Sequence, residues 1–309
     1  MGSNLVEQID ELRLERKALI LAHNYQPPEI QDVADFTGDS LELSRRAAAT
    51  DARLIVFCGV HFMAETAKIL SPEKIVLLPD AHAGCPMADM ITPEQLAAEK
   101  AKHPGVQVVS YVNSSAAVKA EADICCTSAN AAHVVSSLGD GRPILFVPDQ
   151  YLGHYVMRKT GRDLILWPGY CPTHAKITAE DVEQKRVRYP EARVLVHPEC
   201  RPEVIDGADE ALSTGGMLRY ARDYNGKMLL IGTETGILHP LRKVNPRVEY
   251  EAITRKSICA ITRKSICPNM KRISLEKVLR ALEELEPRIE VPAKIRKKAL
   301  MAVDKMLAL

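Results

Sequence analysis

The chain repeats itself three times, and the period of that repeat limits the folds open to it more than any other feature of its 309 residues. Three apolar, β-rich runs each end in a polar cluster: Ala18 to His23-Asn24-Tyr25, Val106 to Tyr111-Val112-Asn113, and Ala192 to His197-Pro198-Glu199. His23, Tyr111 and His197 fall in register, 88 and 86 residues apart. Eleven residues past each of them stands an Ala-Asp pair, closing at Asp35, Asp123 and Asp209, and five further on a hydroxyl: Ser40, Ser128 and Thr214.

Each copy carries two more apolar runs, at 53–59 and 74–79, at 144–148 and 163–168, and at 227–232 and 247–251. Unbroken Val/Ile/Leu runs alternating with amphipathic stretches indicate parallel sheets covered by helices on both faces. The expected fold class is α/β: three similar three-layer α/β/α lobes with parallel sheets, in a pseudo-threefold arrangement. The expected lobes are 1–84, 85–170 and 171–267, with the C-terminal helices of 268–309 packing back on the first.

Composition removes several functional classes. With 46% hydrophobic and 26% charged residues and a net charge of +1, the chain is not of the disordered type. It lacks the basic excess of a nucleic-acid binder. No apolar run reaches membrane-spanning length, and the first residues lack a signal-peptide profile. The expectation is a cytoplasmic protein with no nucleic-acid and no membrane partner. In a reducing compartment its eight cysteines would bind metal, catalyse or pack.

Three of those cysteines open a shared signature, Cys-Pro-x4-Ile-Ser/Thr-x-Glu, at Cys85, Cys171 and Cys267. Its second half is a helix start. Thr92, Thr178 and Ser274 read as N-caps for helices at Pro93–Lys102, Ala179–Arg188 and Leu275–Glu284. Capping does not explain the cysteines. One cysteine alone would read as a small buried apolar residue, but three in register, each followed by proline, would converge near the axis as a soft ligand set suited to Fe–S or zinc. No Cys-x-x-Cys or zinc-finger spacing is present, so a local structural zinc is not indicated. Cys58, Cys125 and Cys126 read as core, and Cys200, next to Glu199, as near a site.

Ile253-Thr-Arg-Lys-Ser-Ile-Cys259 is followed, after Ala260, by the same seven residues ending at Cys267, a tandem duplication within 252–267. The repeat period favours Cys259 as third ligand. The proline, isoleucine and capped helix that follow favour Cys267, which is the ligand expected here, with the extra residues bulging out as a loop.

Ligands of parallel α/β sheets bind beyond the carboxyl ends of the strands. The first strands end in the three polar clusters above, which offer acid/base groups and donors. The second strands end at Gly38-Asp39-Ser40, Thr127-Ser128-Ala129-Asn130 and Ser213-Thr214-Gly215-Gly216, hydroxyl-rich helix starts able to receive anions as well as to cap. No nucleotide-binding Gly-rich motif appears. Arg242-Lys243 and the basic pairs of the duplication read as solvated surface.

Taken together, Leu21-Ala-His-Asn-Tyr-Gln26, Gly38-Asp-Ser40, Tyr111-Val-Asn-Ser114, Thr127-Ser-Ala-Asn130, Cys171-Pro-Thr-His174, His197-Pro-Glu-Cys200, Ser213-Thr-Gly-Gly216 and Cys267-Pro-Asn-Met-Lys271 resemble the quinolinate synthases over nearly the whole chain. The resemblance implies three lobes around a central [4Fe–4S] cluster, one per chain, with one iron free of cysteine. The implied reaction condenses iminoaspartate with dihydroxyacetone phosphate to quinolinate for NAD synthesis, with an aspartate oxidase or dehydrogenase supplying the iminoaspartate. Carried over residue by residue, it implies Cys85, Cys171 and Cys267 as cluster ligands. It implies His23, Tyr25, Asp39, Ser40, Tyr111, Asn113, Ser128, His174, His197, Glu199, Ser213 and Thr214 as the substrate-binding and catalytic set. Glu199 is expected as general base and Tyr25 as its acid/base partner. His23, His197, Tyr111 and Asn113 are expected to orient carboxylates and hydroxyls, and Ser40, Ser128 and Thr214 to bind carboxylate or phosphate oxygens. The duplication departs from the family pattern at the third ligand. A different Fe–S hydro-lyase would use the same cysteines; a cluster-bearing sensor would not need three sets of strand-end polar residues.

Overall fold

The computed structural model describes residues 2–139, 141–254 and 265–309. Each copy of the repeat forms one four-stranded sheet. The first holds β1 (Ala18–His23), β2 (Phe36–Gly38), β3 (Leu54–Cys58) and β4 (Ile75–Leu77). The second holds β5 (Gln107–Tyr111), β6 (Ile124–Cys126), β7 (Ile144–Val147) and β8 (Ile165–Leu166). The third holds β9 (Arg193–Val196), β10 (Glu210–Ala211), β11 (Met228–Gly232) and β12 (Glu249–Ala252). The orders β2-β1-β3-β4, β6-β5-β7-β8 and β10-β9-β11-β12 are one topology used three times, and the strand pairings are parallel. Every residue of β1, β3 and β7 is buried, as uninterrupted apolar runs require when helices cover both faces.

Those helices follow the strands in the same rhythm. After α1 (Gly2–Glu15), the first lobe has α2 (Pro28–Asp32), α3 (Ser40–Ala49) and α4 (His61–Leu70). The second has α5 (Pro93–Lys102), α6 (Ala116–Lys119), α7 (Ala131–Ser137) and α8 (Gln150–Thr160). The third has α9 (Ala179–Arg188), α10 (Pro202–Asp206), α11 (Thr214–Asp223) and α12 (Leu238–Val244), and the chain closes with α13 (Leu275–Glu284) and α14 (Ala293–Leu307). α13 packs on α1 and β3, while α14 lies against α4 of the first lobe and α6 and β6 of the second. Among the described residues no helix is long and apolar enough to cross a membrane.

The repeated aspartates prove to be structural. Asp35, Asp123 and Asp209 each accept, through Oδ2, the amide of the neighbouring central strand: Ile20 at 2.8 Å, Val108 at 2.8 Å and Val194 at 2.7 Å. Each aspartate amide donates back to the carbonyl of the same residue, at 2.9, 3.0 and 2.9 Å. The start of each edge strand is thereby fixed on its central strand, and the hydroxyl five residues later is delivered to the carboxyl end of the sheet.

The expected helices after the cysteine signature are present with the expected bounds, but their caps differ. Thr92 and Thr178 close capping boxes with Gln95 and Asp181. Ser274 makes no side-chain cap bond. The position that would complete its box is Lys277, a cation, and it reaches instead to Asp80 Oδ2 at 2.7 Å.

Cys58, Cys125 and Cys126 are fully buried, as expected. Cys200 turns into the core of the third lobe, where its thiol donates to the Gly232 carbonyl at 3.4 Å. Arg242 and Lys243 are exposed, as expected. Cys259 and the loop expected of the duplication lie outside the described residues. On their far side, the Ser265 amide donates to Thr254 Oγ1 at 3.3 Å, and the Thr235 amide donates to the Ser265 carbonyl at 2.9 Å.

Candidate active site

The polar triplets are shaped first by their own turns. Past β1, the Tyr25 amide donates to His23 Nδ1 at 3.1 Å; past β9, the Glu199 amide donates to His197 Nδ1 at 3.3 Å. With Nδ1 occupied as an acceptor, a neutral ring carries its proton on Nε2. Burial pushes both imidazoles down to about 3, so both are neutral at pH 7 and present an Nε2–H donor. That of His197 faces Ser128 Oγ at 3.2 Å.

The three sets of strand ends meet on one cavity. His23, Tyr25, Asp39, Ser40, Tyr111, Asn113, Ser128, His174, His197, Glu199 and Thr214 line it, together with Cys85, Cys171 and Cys267. Val60, Phe62, Met63, Met87 and Met270 supply an apolar wall. Ser213 does not line it. Its hydroxyl caps α11 by accepting from the Gly216 amide at 3.1 Å, and donates to Asp39 Oδ2 at 3.1 Å. Asp39 in turn caps α3 through Oδ1. Ser213 thus ties the first lobe to the third behind the cavity wall.

Glu199 is the hub of the cavity's hydrogen bonds. Oε1 accepts from Tyr111 Oη at 2.6 Å and Asn113 Nδ2 at 3.3 Å, and Oε2 lies 2.7 Å from His174 Nδ1. From His174 the chain continues: Nε2 is 2.7 Å from Thr233 Oγ1, which is 2.5 Å from Tyr25 Oη. Burial alone would raise the Glu199 pKa. His174, His197 and the Tyr111 hydroxyl outweigh it and hold the carboxyl well below the usual carboxylate range. Burial, and then the Glu199 charge, push the Tyr25 and Tyr111 phenols up.

The cysteines stand at the same cavity under a different constraint. Burial pushes all three thiols up, Cys85 to about 12, so thiolates here need a cation to hold them. The Cys267 amide donates to Glu234 Oε1 at 3.3 Å. Glu234 is fully buried and is satisfied by the Gly236 amide at 2.7 Å and by Lys271 Nζ at 3.0 Å. Lys271 also donates to the Tyr25 carbonyl.

Comparison with known proteins gives the family. The family model described as Quinolinate synthetase A protein matches residues 7–308. The chain belongs to the quinolinate synthase family. It is 57% identical over 300 residues to a quinolinate synthase of Dehalococcoides mccartyi, covering 97% of this chain and 96% of that one. It is 54% identical over 309 residues to one from Desulforudis audaxviator, covering 100% and 99% of the two chains, and 50% identical over 306 residues to one from Methanosarcina barkeri, covering 99% and 98%.

For a quinolinate synthase, the donor set suits a metal cluster. Among the described residues, the three cysteine sulfurs do not form a group whose members all lie within 4.8 Å of one another. Thiolates on one zinc or iron ion, at about 2.3 Å each, would have to be closer than that. The wider spacing fits ligands on separate metals.

Sequence reasoning missed Thr233 and Glu234. They follow β11, the third strand to appear in its lobe, whereas the polar clusters legible in the sequence close the first two strands of each copy. Applied to the third, the strand-end rule would have found Thr233 and Glu234, Val60 after β3, and Asp149 after β7, whose carboxyl lies beside the Cys171 amide.

Proposed function

We propose that this chain condenses iminoaspartate with dihydroxyacetone phosphate to quinolinate, with loss of phosphate and water, in de novo NAD biosynthesis. One observation carries the reading: three repeat-equivalent cysteines and the hydrogen-bonded Glu199 open on the same cavity. With the lobes divided after 84, 170 and 267, each ligand cysteine falls at a seam. When bound to Cys85, Cys171 and Cys267, a [4Fe–4S] cluster supplies a Lewis-acid iron for the dehydration.

The rest of the work falls to side chains. The Nε2–H groups of His23 and His197 and the hydroxyls of Ser40, Ser128 and Thr214 receive carboxylate and phosphate oxygens. Glu199, ionised and held by Tyr111 and Asn113, takes a proton from the condensing carbon. The resting chain of donors runs Tyr25 O–H to Thr233, Thr233 O–H to His174 Nε2, and His174 Nδ1–H to Glu199. In that orientation His174 Nδ1–H holds the Glu199 carboxylate in place and Thr233 holds the Tyr25 hydroxyl. Tyr25 gives its phenolic proton to the departing hydroxide, which leaves as water. Water in the cavity then carries the proton held on Glu199 to the Tyr25 phenolate, with no net change in the four side chains. The apolar wall of Phe62, Met63, Met87 and Met270 keeps bulk water from short-circuiting the exchange.

The test is anaerobic incubation of the iron–sulfur-loaded protein with iminoaspartate and dihydroxyacetone phosphate. Quinolinate and phosphate are expected in equal amounts. Phosphate-independent dehydration of a hydroxy acid, with no quinolinate, would reassign the chain as another hydro-lyase.

A further inference from the structure

Cys171, His174 and Glu199 face one another more closely than the three cysteines do. Among the described residues they are the one trio of metal-binding side chains whose donor atoms all lie within 4.8 Å of one another. His174 Nδ1 is 3.1 Å from Cys171 Sγ and 2.7 Å from Glu199 Oε2. We propose that the chain without its cluster holds a single divalent transition ion on Cys171, His174 and Glu199, in competition with the cluster.

The chemistry of the trio suits such an ion. One thiolate, one imidazole and one carboxylate form a mixed set that takes Zn2+, Fe2+ or Co2+. All three line the cavity, which leaves the fourth coordination position open to it. Charge also favours a single ion here. One thiolate and one carboxylate neutralise a divalent cation, whereas an uncompensated charge would be costly at this depth.

Each ligand is oriented from behind, as working metal ligands are. Thr233 Oγ1, 2.7 Å from His174 Nε2, accepts the ring proton when Nδ1 turns to the ion. Tyr111 Oη and Asn113 Nδ2 hold Glu199 Oε1, which leaves Oε2 for the ion. Tetrahedral bonds of about 2.0–2.3 Å put donors roughly 3.3–3.8 Å apart, so the His174 ring must withdraw by under about 1 Å. The balance is simple. The Cys171 thiol loses its proton to solvent, the His174 proton moves from Nδ1 to Nε2, and one proton is released for each ion bound.

Such an ion would occupy a cluster ligand, the candidate base and the middle of the hydrogen-bonded chain together. The cluster cannot assemble on Cys171 until the ion leaves. None of this depends on which reaction the cavity performs, so a failure to form quinolinate would leave the proposal standing.

The test is anaerobic titration of the cluster-free, full-length protein with Co2+. One Co2+ per chain is expected, with a thiolate-to-cobalt charge-transfer band, and Zn2+ should displace it. Cys171→Ser removes the band. His174→Asn and Glu199→Gln each weaken binding about 10-fold or more. Cys85→Ser and Cys267→Ser bind as the parent does. Thermal melting by circular dichroism establishes that each variant is folded, and the two near-isosteric variants keep the test decisive should Cys171→Ser unfold. In a second measurement, Zn2+-loaded protein should regain visible cluster absorbance more slowly than zinc-free protein on addition of iron and sulfide, and His174→Asn should abolish the delay. A band that survives in Cys171→Ser, one lost in Cys85→Ser and Cys267→Ser, or the absence of Co2+ binding would each overturn the proposal.

Discussion

His174 Nδ1 and Glu199 Oε2 meet at 2.7 Å in the cavity wall, with both side chains almost completely buried. Among the described residues, the pair is the step by which the Tyr25–Thr233 hydroxyls reach the Glu199 carboxylate. Glu199 is therefore the end of a line of hydrogen-bonded side chains that begins at Tyr25 of the first lobe, and in the proposed reaction it is the base toward the cavity.

Glu199→Gln is expected to reduce quinolinate formation by about 10²-fold or more while the cluster's visible absorbance and the melting temperature stay close to the parent's. Glutamine keeps the shape and one acceptor oxygen but cannot take the proton. Near-normal turnover in a cluster-loaded variant would remove Glu199 from the proton transfer.

Thr233→Val keeps the volume of the side chain and removes the hydroxyl that joins Tyr25 to His174. A loss of turnover of about 10- to 100-fold is expected, with cluster content unchanged, and Thr233→Ser should restore most of it. Equal rates in Val and Ser variants would show that this hydroxyl does not hold Tyr25 for the reaction.

Cys267→Ser should lose its iron, whereas Cys259→Ser should retain about four irons per chain. The expectation rests on Cys267 lining the cavity with its amide on Glu234 and on Lys271, four residues later, closing the same contact. Iron and sulfide analysis of anaerobic protein distinguishes the two. The reverse outcome would mean that the other copy of the duplicated segment supplies the ligand.

Asp80 links the first lobe to the segment after Cys267, with Lys277 Nζ at 2.7 Å and Arg272 Nε at 3.5 Å. Burial would raise its pKa, but the Lys277 hydrogen bond, the His82 amide and the charges of both cations lower it. A carboxyl whose folded pKa lies below its unfolded value contributes stability above the unfolded value, near 3.9, and loses it as pH falls through the folded one. Asp80→Asn should therefore cost about 1 kcal/mol at neutral pH, and the cost should vanish as pH falls through the lowered folded pKa of Asp80. Denaturant melts at several pH values measure the difference. A pH-independent cost would mean that the Asp80 charge does not carry the link.

The sheets were legible in the sequence because a parallel strand buried on both faces writes itself as an unbroken apolar run, and three runs in register leave little choice of topology. The ligand cysteines were legible because the threefold signature repeats a residue that folding alone does not require. Ser213 enters the substrate-binding set through the family resemblance, yet it does not line the cavity. The direction of one side chain at a helix start depends on what it caps, here the Gly216 amide. Thr233 and Glu234 carry no repeated signature, since Val60 and Asp149 occupy the corresponding strand ends with different chemistry. The missing cap at Ser274 follows from Lys277 pairing with Asp80, a long-range preference that local spacing does not contain.

The aspartates at 35, 123 and 209 make the same two bonds in three different settings. That gives the molecule a built-in set of matched perturbations. Replacing each in turn by alanine deletes the same contact, so any difference among the three melting curves measures the neighbourhood rather than the bond. Asp35 is also paired with Arg13 and Asp209 with Arg186 and Arg193. Three lobes of one topology can thus be compared as replicates of one experiment, and their differences read out lobe by lobe.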